Sequence, residues 1–121
     1  MTASEQQQVL DSPLTALTPR TITDPGVLGA ELGRIRARGY SIDDQEVVMG
    51  VYCVSVAILD GNGHPVGAIS ITGSTPKQPG PDVLPLVDML NEACGHVSRR
   101  LGYRGAWPLV AAASGENRLR A

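Results

Sequence analysis

Small polar side chains recur along two segments that are typical of β-strands. Residues 51–59 (VYCVSVAIL) are rich in β-branched types, and residues 65–73 (PVGAISITG) follow them after an Asp-Gly-Asn-Gly turn. Side chains alternate between the two faces of a strand, so one face of this hairpin is predicted to gather four small polar residues. They are Cys53, Ser55, Ser70 and Thr72. A floor of thiol and hydroxyl groups is suited to a small polar organic ligand.

The loop between the strands sets the register, which decides whether these four groups meet. A two-residue loop at Gly61-Asn62 places Cys53 opposite Ser70. A four-residue loop keeps the same facing, whereas a three- or five-residue loop mixes polar with aliphatic residues. The opposite face belongs against helices: Tyr52, Val54, Val56, Ile58, Ile69 and Ile71. An alternative interpretation of the polar side is a half-solvated face without a ligand, which is common in antiparallel sheets.

Two helices are predicted to flank the sheet and to cover its aliphatic face. Asp24 is a typical N-cap and Pro25 suits a first helical turn, so the first helix covers residues 25–38 and ends at Gly39. The second helix opens at Asp82 and follows apolar residues spaced by three and four: Val83, Leu86, Leu90, Cys94, Val97 and Leu101. The fold class is therefore α+β, an antiparallel sheet with flanking helices.

Four shorter segments complete the prediction. Residues 40–43 alternate like a short strand, and residues 4–10 are compatible with the frayed end of a helix. Residues 74–81 contain three prolines and are predicted as a loop. Residues 103–121 have no periodicity and are predicted as a mobile tail, from which Trp107 or Leu109 could dock.

The composition indicates one small globular domain and excludes several classes of protein. Of 121 residues, 42% are hydrophobic, and ten basic against twelve acidic residues give a net charge of -2. Nucleic acids and anionic membranes are bound by a surplus of positive charge, which this chain lacks. Cys53 and Cys94 lie far apart without metal-ligand spacing, so we expect no disulfide, metal or cofactor. With no signal-peptide pattern and no membrane-length apolar run, the sequence favours the reducing cytoplasm.

Several separately spaced blocks resemble one known family. Residues 39–46 (GYSIDDQE), followed after six residues by 53–55 (CVS) and then 58–60 (ILD), resemble the signature of the IclR family of bacterial transcriptional regulators. The flanking blocks agree: residues 17–24 (LTPRTITD), 68–73 (AISITG) and 97–102 (VSRRLG). The resemblance covers about residues 5–102. Leu59 departs from it, since the family usually has an aromatic residue or histidine there, at a position that carries packing.

The resemblance implies a function for the polar face. Residues 1–102 would be the C-terminal part of a GAF-like effector-binding domain, without the helix-turn-helix domain through which such regulators bind DNA. Effectors of the family are typically small organic acids or aromatic metabolites, and the positions that line the pocket match Asp43, Cys53, Ser70 and Thr72. Ser55 shares their face. From the exposed sheet edge we expect a homo-oligomer. The sequence holds no catalytic arrangement, so we expect no enzyme activity.

Three alternatives stay open at this point. Asp43 accepts a hydrogen bond from a ligand hydroxyl but repels a carboxylate, and it could equally belong to a solvated acidic turn. Cys53 could make the chain a redox-responsive module. An exposed sheet edge could make it a self-association fragment without a ligand of its own.

Overall fold

The computed structural model describes residues 1–74 and 83–110, and within these ranges the chain has three helices and three strands. They follow in the order α1 (Ala3–Asp11), α2 (Pro25–Arg38), β1 (Ser41–Asp44), β2 (Val51–Leu59), β3 (Pro65–Ser74) and α3 (Val83–Arg100). The strands form one antiparallel sheet in the order β1-β2-β3. The predicted α+β class is confirmed. Among the helices of the described ranges, none has the length and apolarity needed to cross a bilayer.

The first two helices carry well-formed caps. The Asp24 side chain accepts a hydrogen bond from the N–H of Val27 at 3.0 Å, and Gly39 closes α2 with a left-handed φ of 87°. The predicted bounds of α2 are therefore confirmed. α1 is more regular than the frayed end that its sequence predicts, because Thr2 and Glu5 form a capping box around its first turn.

The aliphatic face of the sheet packs against α3. Val54 and Val56 of β2 are almost completely buried, at 0% and 2% exposure. The rest of the buried core comes from Tyr40, Val83, Val87, Leu90 and Cys94. In contrast, no residue of α2 is buried, and α2 packs against α1. The expectation that both helices cover the aliphatic face is corrected: the buried helical residues of this core all belong to α3.

The buried stripe of α3 also differs from the predicted one. It is formed by Val83, Val87, Leu90, Cys94, Gly95 and Ser98. Val97 and Leu101, which the sequence assigned to the stripe, are 37% and 48% exposed. Hydrophobicity favoured Val97, but the helix turns the neighbouring Ser98 toward the sheet, where its hydroxyl has a partner.

The hairpin between β2 and β3 has an unpredicted irregularity. Leu59 pairs with Pro65, so five residues connect the strands, and this odd number would by itself mix the two faces. The next pair is Ile58 with Gly67, which leaves Val66 as an extra residue in a β-bulge. The bulge restores the facing that an even loop would give.

Helix α3 holds the backbone of β2 beside this bulge. The N–H of Leu59 donates to the hydroxyl of Ser98 at 3.0 Å, and Ser98 is completely buried. One turn earlier, the Cys94 thiol donates to the carbonyl of Val56 at 3.3 Å. Burial raises the pKa of the Cys94 thiol, which keeps it protonated and able to donate. These two bonds fix the depth and direction of the helix on the sheet.

Residues after α3 fold back onto it. The indole N–H of Trp107 donates to the carbonyl of Asn91 at 2.6 Å, and the ring lies over Gly95 so closely that a Cβ there would meet it at 2.6 Å. This is the docking that the sequence allowed for Trp107. Residues 111–121 of the predicted tail, the predicted loop at 75–81 and the predicted helix start at Asp82 lie outside the described residues.

Candidate functional site

The polar face of the sheet carries two rows of side chains that cross all three strands. The hydroxyl row consists of Ser41, Ser55 and Ser70. The mixed row consists of Asp43, Cys53 and Thr72. All five residues predicted for the site therefore lie on one face, opposite Val54 and Val56. The predicted grouping of Cys53, Ser55, Ser70 and Thr72 on that face is confirmed. The predicted pairing of Cys53 with Ser70 is wrong by two residues, because the five-residue connection and the bulge each shift the register by one.

Within each row, the side chains on β2 and β3 are in hydrogen-bond contact. The hydroxyls of Ser55 and Ser70 lie 2.5 Å apart, and the Cys53 thiol lies 3.3 Å from the hydroxyl of Thr72. Ser70 and Thr72 are exposed to solvent, while Cys53 and Ser55 are half-buried. The face is thus open above β3 and presents hydroxyl and thiol groups that both donate and accept hydrogen bonds.

Asp43 is the charged member of the two rows, and its carboxylate is held in place by the turn that follows β1. One carboxylate oxygen, Oδ1, accepts a hydrogen bond from the N–H of Glu46 at 2.8 Å. Within residues 1–74 and 83–110, no hydrogen bond to the second oxygen is formed. Asp43 therefore combines a fixed orientation with one acceptor atom that a ligand donor could approach.

The turn itself is clamped from outside by residues 17–21. The hydroxyl of Thr18 donates to the carbonyl of Gln45 at 2.7 Å, and the hydroxyl of Thr21 donates to the carbonyl of Glu46. Arg20 forms an ion pair with Asp44 at 3.0 Å. Burial is the main cause that raises the pKa of Glu46 above its usual value. This clamp places Asp43 at the end of β1, although the segment 17–21 is far from it in sequence.

A concave region lies beside β1, on the aliphatic side of the sheet. It has a volume of about 510 Å³ and is lined by Arg20, Ile22, Glu31, Arg38, Ile42, Asp44 and Glu46. Four of its five charged side chains form ion pairs, Arg20 with Asp44 at 3.0 Å and Arg38 with Glu31 at 2.9 Å. A ligand would have to break these pairs, so the polar face is the better candidate for binding.

Sequence reasoning missed one member of the polar face, Ser41. Alternation along β1 places Ser41 and Asp43 on the same side, and the register pairs Ser41 with Ser55. The alternation along β1 could be inferred from the sequence. The pairing of β1 with β2 was not, because the turn between them depends on Gln45 in a left-handed conformation with a φ of 62°, which is uncommon for a residue other than glycine.

Comparison with known families and proteins identifies similar sequences. Residues 1–99 match the family described as "Bacterial transcriptional regulator IclR C-terminal". The HTH-type transcriptional repressor AllR of Klebsiella pneumoniae is 34% identical over 96 residues, which make up 79% of this chain and 35% of AllR. The chain thus spans about a third of the length of this curated relative.

Solved structures share the fold. Thermotoga maritima IclR is 42% identical with a TM-score of 0.77, and the match covers 83% of this chain and 41% of that one. The C-terminal domain of the Escherichia coli regulator KdgR is 29% identical with a TM-score of 0.78, covering 85% of this chain and 63% of that one. An inducer-binding domain of PobR from Acinetobacter, solved with 3-hydroxybenzoic acid, is 21% identical with a TM-score of 0.72 over 81% of this chain and 57% of that one, which is a likeness of fold.

Proposed function

The chain belongs to the IclR family of bacterial transcriptional regulators, in which it matches the C-terminal domain, and we propose that its polar face binds a small-molecule effector. The residues that hold the effector are Asp43, Cys53, Ser55, Ser70 and Thr72. The observation that carries the proposal is their arrangement: residues from three separate strands form two adjacent rows on one face. None of the six members of the two rows is aliphatic, so the rows form a continuous polar surface across the three strands.

The chemistry of the face favours a small organic acid or an aromatic metabolite. Hydroxyl groups donate to the acceptor atoms of an acid, and Asp43 accepts from a hydroxyl or another donor. The fold likeness to a domain solved with 3-hydroxybenzoic acid supports this class of ligand. Because Ser70 and Thr72 are exposed, the described face buries only part of a ligand, and we expect weak affinity from this chain by itself.

The effector acts on transcription through the rest of a longer regulator. A metabolite that binds two arrangements of the effector domain with different affinity shifts the balance between them. DNA is then contacted by a helix-turn-helix domain that lies outside this chain, in the cytoplasm. In this proposal the chain is a binding module and performs no enzymatic reaction.

Two further expectations concern partners and the thiol. The described sheet pairs β3 with β2 on one side, so the other edge of β3 offers backbone groups to a strand of a second copy, and we propose a homo-oligomer. The test is sedimentation velocity at chain concentrations between 10 and 500 µM, on the order of the range where weak dimers form. A sedimentation coefficient of a monomer at every concentration would contradict self-association.

The redox alternative has little support, because no described hydrogen bond or ion pair joins Cys53 to a cationic side chain that would stabilise a thiolate.

The test of effector binding is calorimetric titration of the 121-residue chain with a panel of small carboxylic and hydroxybenzoic acids. Thr72→Val keeps the volume of the side chain and removes its hydroxyl, so we expect roughly a fivefold to tenfold loss of affinity for the acids that bind. Thr15→Val is the matched control, since Thr15 is exposed in the segment before α2. Equal affinity of the two variants, or no binding of any acid at millimolar concentration, would refute the proposal.

A further inference from the structure

The residues that follow α3 reverse direction and return along the helix. The N–H of Tyr103 donates to the carbonyl of Ser98 at 3.0 Å, and Gly102 has a left-handed φ of 98°. Together they form a Schellman motif, which ends the helix and turns the chain back. Residues 103–110 are called the strap below. The strap lies outside residues 1–99, which match the IclR family.

Arg99, in the last turn of α3, holds the first half of the strap. Its Nη1 donates to the carbonyls of Tyr103 and Gly105 at 3.1 and 2.9 Å, and its guanidinium lies 5.7 Å from the centre of the Tyr103 ring. The Tyr103 hydroxyl donates to the carbonyl of Ala106 at 3.2 Å. The Tyr103 ring also meets the Trp107 ring edge to face, with 6.0 Å between the ring centres. These contacts fix the direction in which the strap presents the indole.

A glycine in the interior of α3 makes room for the indole. The Trp107 N–H donates to the carbonyl of Asn91 at 2.6 Å. A Cβ added at Gly95 would lie 2.6 Å from the indole nitrogen and 2.7 Å from its Cδ1. Glycine is disfavoured in the interior of a helix and alanine is favoured there. Gly95 is therefore unfavourable for the helix alone and suitable for a helix that an aromatic ring approaches this closely.

The far end of the strap reaches the start of β1. A Cβ added at Gly39 would lie 3.0 Å from Cγ2 of Val110, so Val110 covers the residue that ends α2. The next residue, Tyr40, is 4% exposed and belongs to the core, and β1 begins at Ser41. In the described ranges, α2 contributes no buried residue to that core and packs against α1. The strap thus connects α3 directly to the junction between α2 and β1.

We propose that the flank of α3 at Asn91 and Gly95 is a docking groove for an aromatic segment, and that its occupant is the strap of the same chain. Trp107 closes the groove, and Val110 fastens the start of β1 to α3 through the strap. Because β1 carries two residues of the polar face, the strap positions one side of that face. The docking itself does not require an effector.

Fluorescence tests the groove, because the chain contains one tryptophan. Gly95→Ala places a methyl group where the indole lies, so we expect a red-shifted emission, stronger quenching by acrylamide and a lower Tm. Gly33→Ala in α2 is the matched control, since nothing lies within 4 Å of a Cβ added there. The control should raise the Tm and leave the emission unchanged, because alanine favours the helix. A Gly95→Ala variant that behaves like the control would overturn the inference.

Trp107→Ala tests the fastening of β1 without changing the sequence of α3. Amide hydrogen exchange of the full chain is measured by mass spectrometry at residues 40–44 and, for comparison, at residues 67–72 of β3. Exchange at 40–44 should rise roughly threefold to tenfold, the effect of losing about one hydrogen bond, and exchange at 67–72 should rise less. An equal rise in both segments, or no rise at 40–44, would show that the strap does not fasten β1.

The concentration dependence of the fluorescence identifies the occupant of the groove. A strap that docks on its own chain gives the same emission maximum over a roughly hundredfold range of chain concentration. A blue shift that develops as the concentration rises would place the strap of a second copy in the groove and overturn the assignment to the same chain. Failure of this inference leaves the proposed effector binding standing, because that binding is measured separately by calorimetric titration with acids.

Discussion

The two faces of the sheet are made by alternate residues of the same strands, yet they differ in almost every physical property. On one face Val54 is completely buried beneath α3. On the other, its neighbour Cys53 is half-buried and contacts a hydroxyl at 3.3 Å. The first face supplies the apolar burial that stabilises the fold. The second face contributes little to that burial, so packing against a helix does not restrict its residue types.

The two faces also differ in how their backbone is held. On the aliphatic side, α3 reaches the strand directly, through the hydroxyl of Ser98 and the thiol of Cys94. On the polar side, side chains of β2 and β3 contact one another, and Asp43 accepts a hydrogen bond from the turn backbone. A change on the first face therefore alters the position of a helix, whereas a change on the second face alters local contacts only.

The largest effect on stability should come from truncating a core residue on the aliphatic face, and truncating its neighbour on the polar face should have little effect. Val54→Ala removes two methyl groups from a completely buried position, and we expect the free energy of unfolding to fall by about 2–3 kcal/mol. Cys53→Ala, one residue away on the polar face, should change it by less than about 0.5–1 kcal/mol. Urea denaturation of both variants measures the difference. Similar losses in the two variants would mean that the polar face is also part of the core.

The hairpin shows what the sequence could and could not predict about these faces. The bounds of β2 were predictable because residues 51–59 are β-branched and end at a strong turn signal. The register was not, because neither the five-residue connection nor the bulge at Val66 has a signature in the sequence. Beside the bulge, the N–H of Leu59 donates to the hydroxyl of Ser98, which lies 39 residues away. Such contacts are decided by packing and not by local preference.

An intermediate effect is expected from Ser98→Ala. This change leaves the N–H of Leu59 buried without its acceptor, and we expect a loss of about 1–3 kcal/mol in the free energy of unfolding. Ser4→Ala, at an exposed position of α1, is the control and should lie within about 0.5 kcal/mol of the parent chain. Measurement is again by urea denaturation. A Ser98→Ala variant as stable as the control would show that water replaces the hydroxyl and that α3 does not fix the bulge.

In the candidate site, too, some placements follow from the local sequence and others depend on contacts between distant segments. Alternation alone placed Cys53 with Ser55, and Ser70 with Thr72, because period two is a property of any strand. The position of Asp43 was implied by the family resemblance, and its distance from the other residues depended on the turn between β1 and β2. That turn is held by Thr18 and Thr21, which local sequence rules did not connect to it. Ser41 was missed for the same reason.

The ends of β2 provide two carboxyl groups whose pKa values move in opposite directions. Burial raises the pKa of Glu46, with further contributions from the neighbouring carboxylates of Asp43, Glu31 and Asp44. Backbone N–H groups of His64 and Asn62 lower the pKa of Asp60, which is half-buried at the start of the hairpin turn. The folded state therefore favours the protonated form of Glu46 and the ionised form of Asp60.

The smallest expected effect concerns these two turns: substitutions of their carboxyl groups should change the Tm in opposite directions at pH 7. A raised pKa in the folded state means that the ionised Glu46 opposes folding above its folded pKa and has no effect below about pH 4, where both states are protonated. Glu46→Gln should therefore raise the Tm slightly at pH 7 and leave it unchanged near pH 3. Asp60→Asn should do the opposite, lowering the Tm slightly at pH 7, because the lowered pKa contributes stability that is lost as pH falls. Thermal denaturation of both variants and the parent chain from pH 3 to pH 7 measures this, over roughly the range in which carboxyl groups titrate. A lower Tm of Glu46→Gln at pH 7 would mean that the ionised Glu46 stabilises the turn after β1. A higher Tm of Asp60→Asn would mean that the backbone N–H groups do not stabilise the ionised form of Asp60.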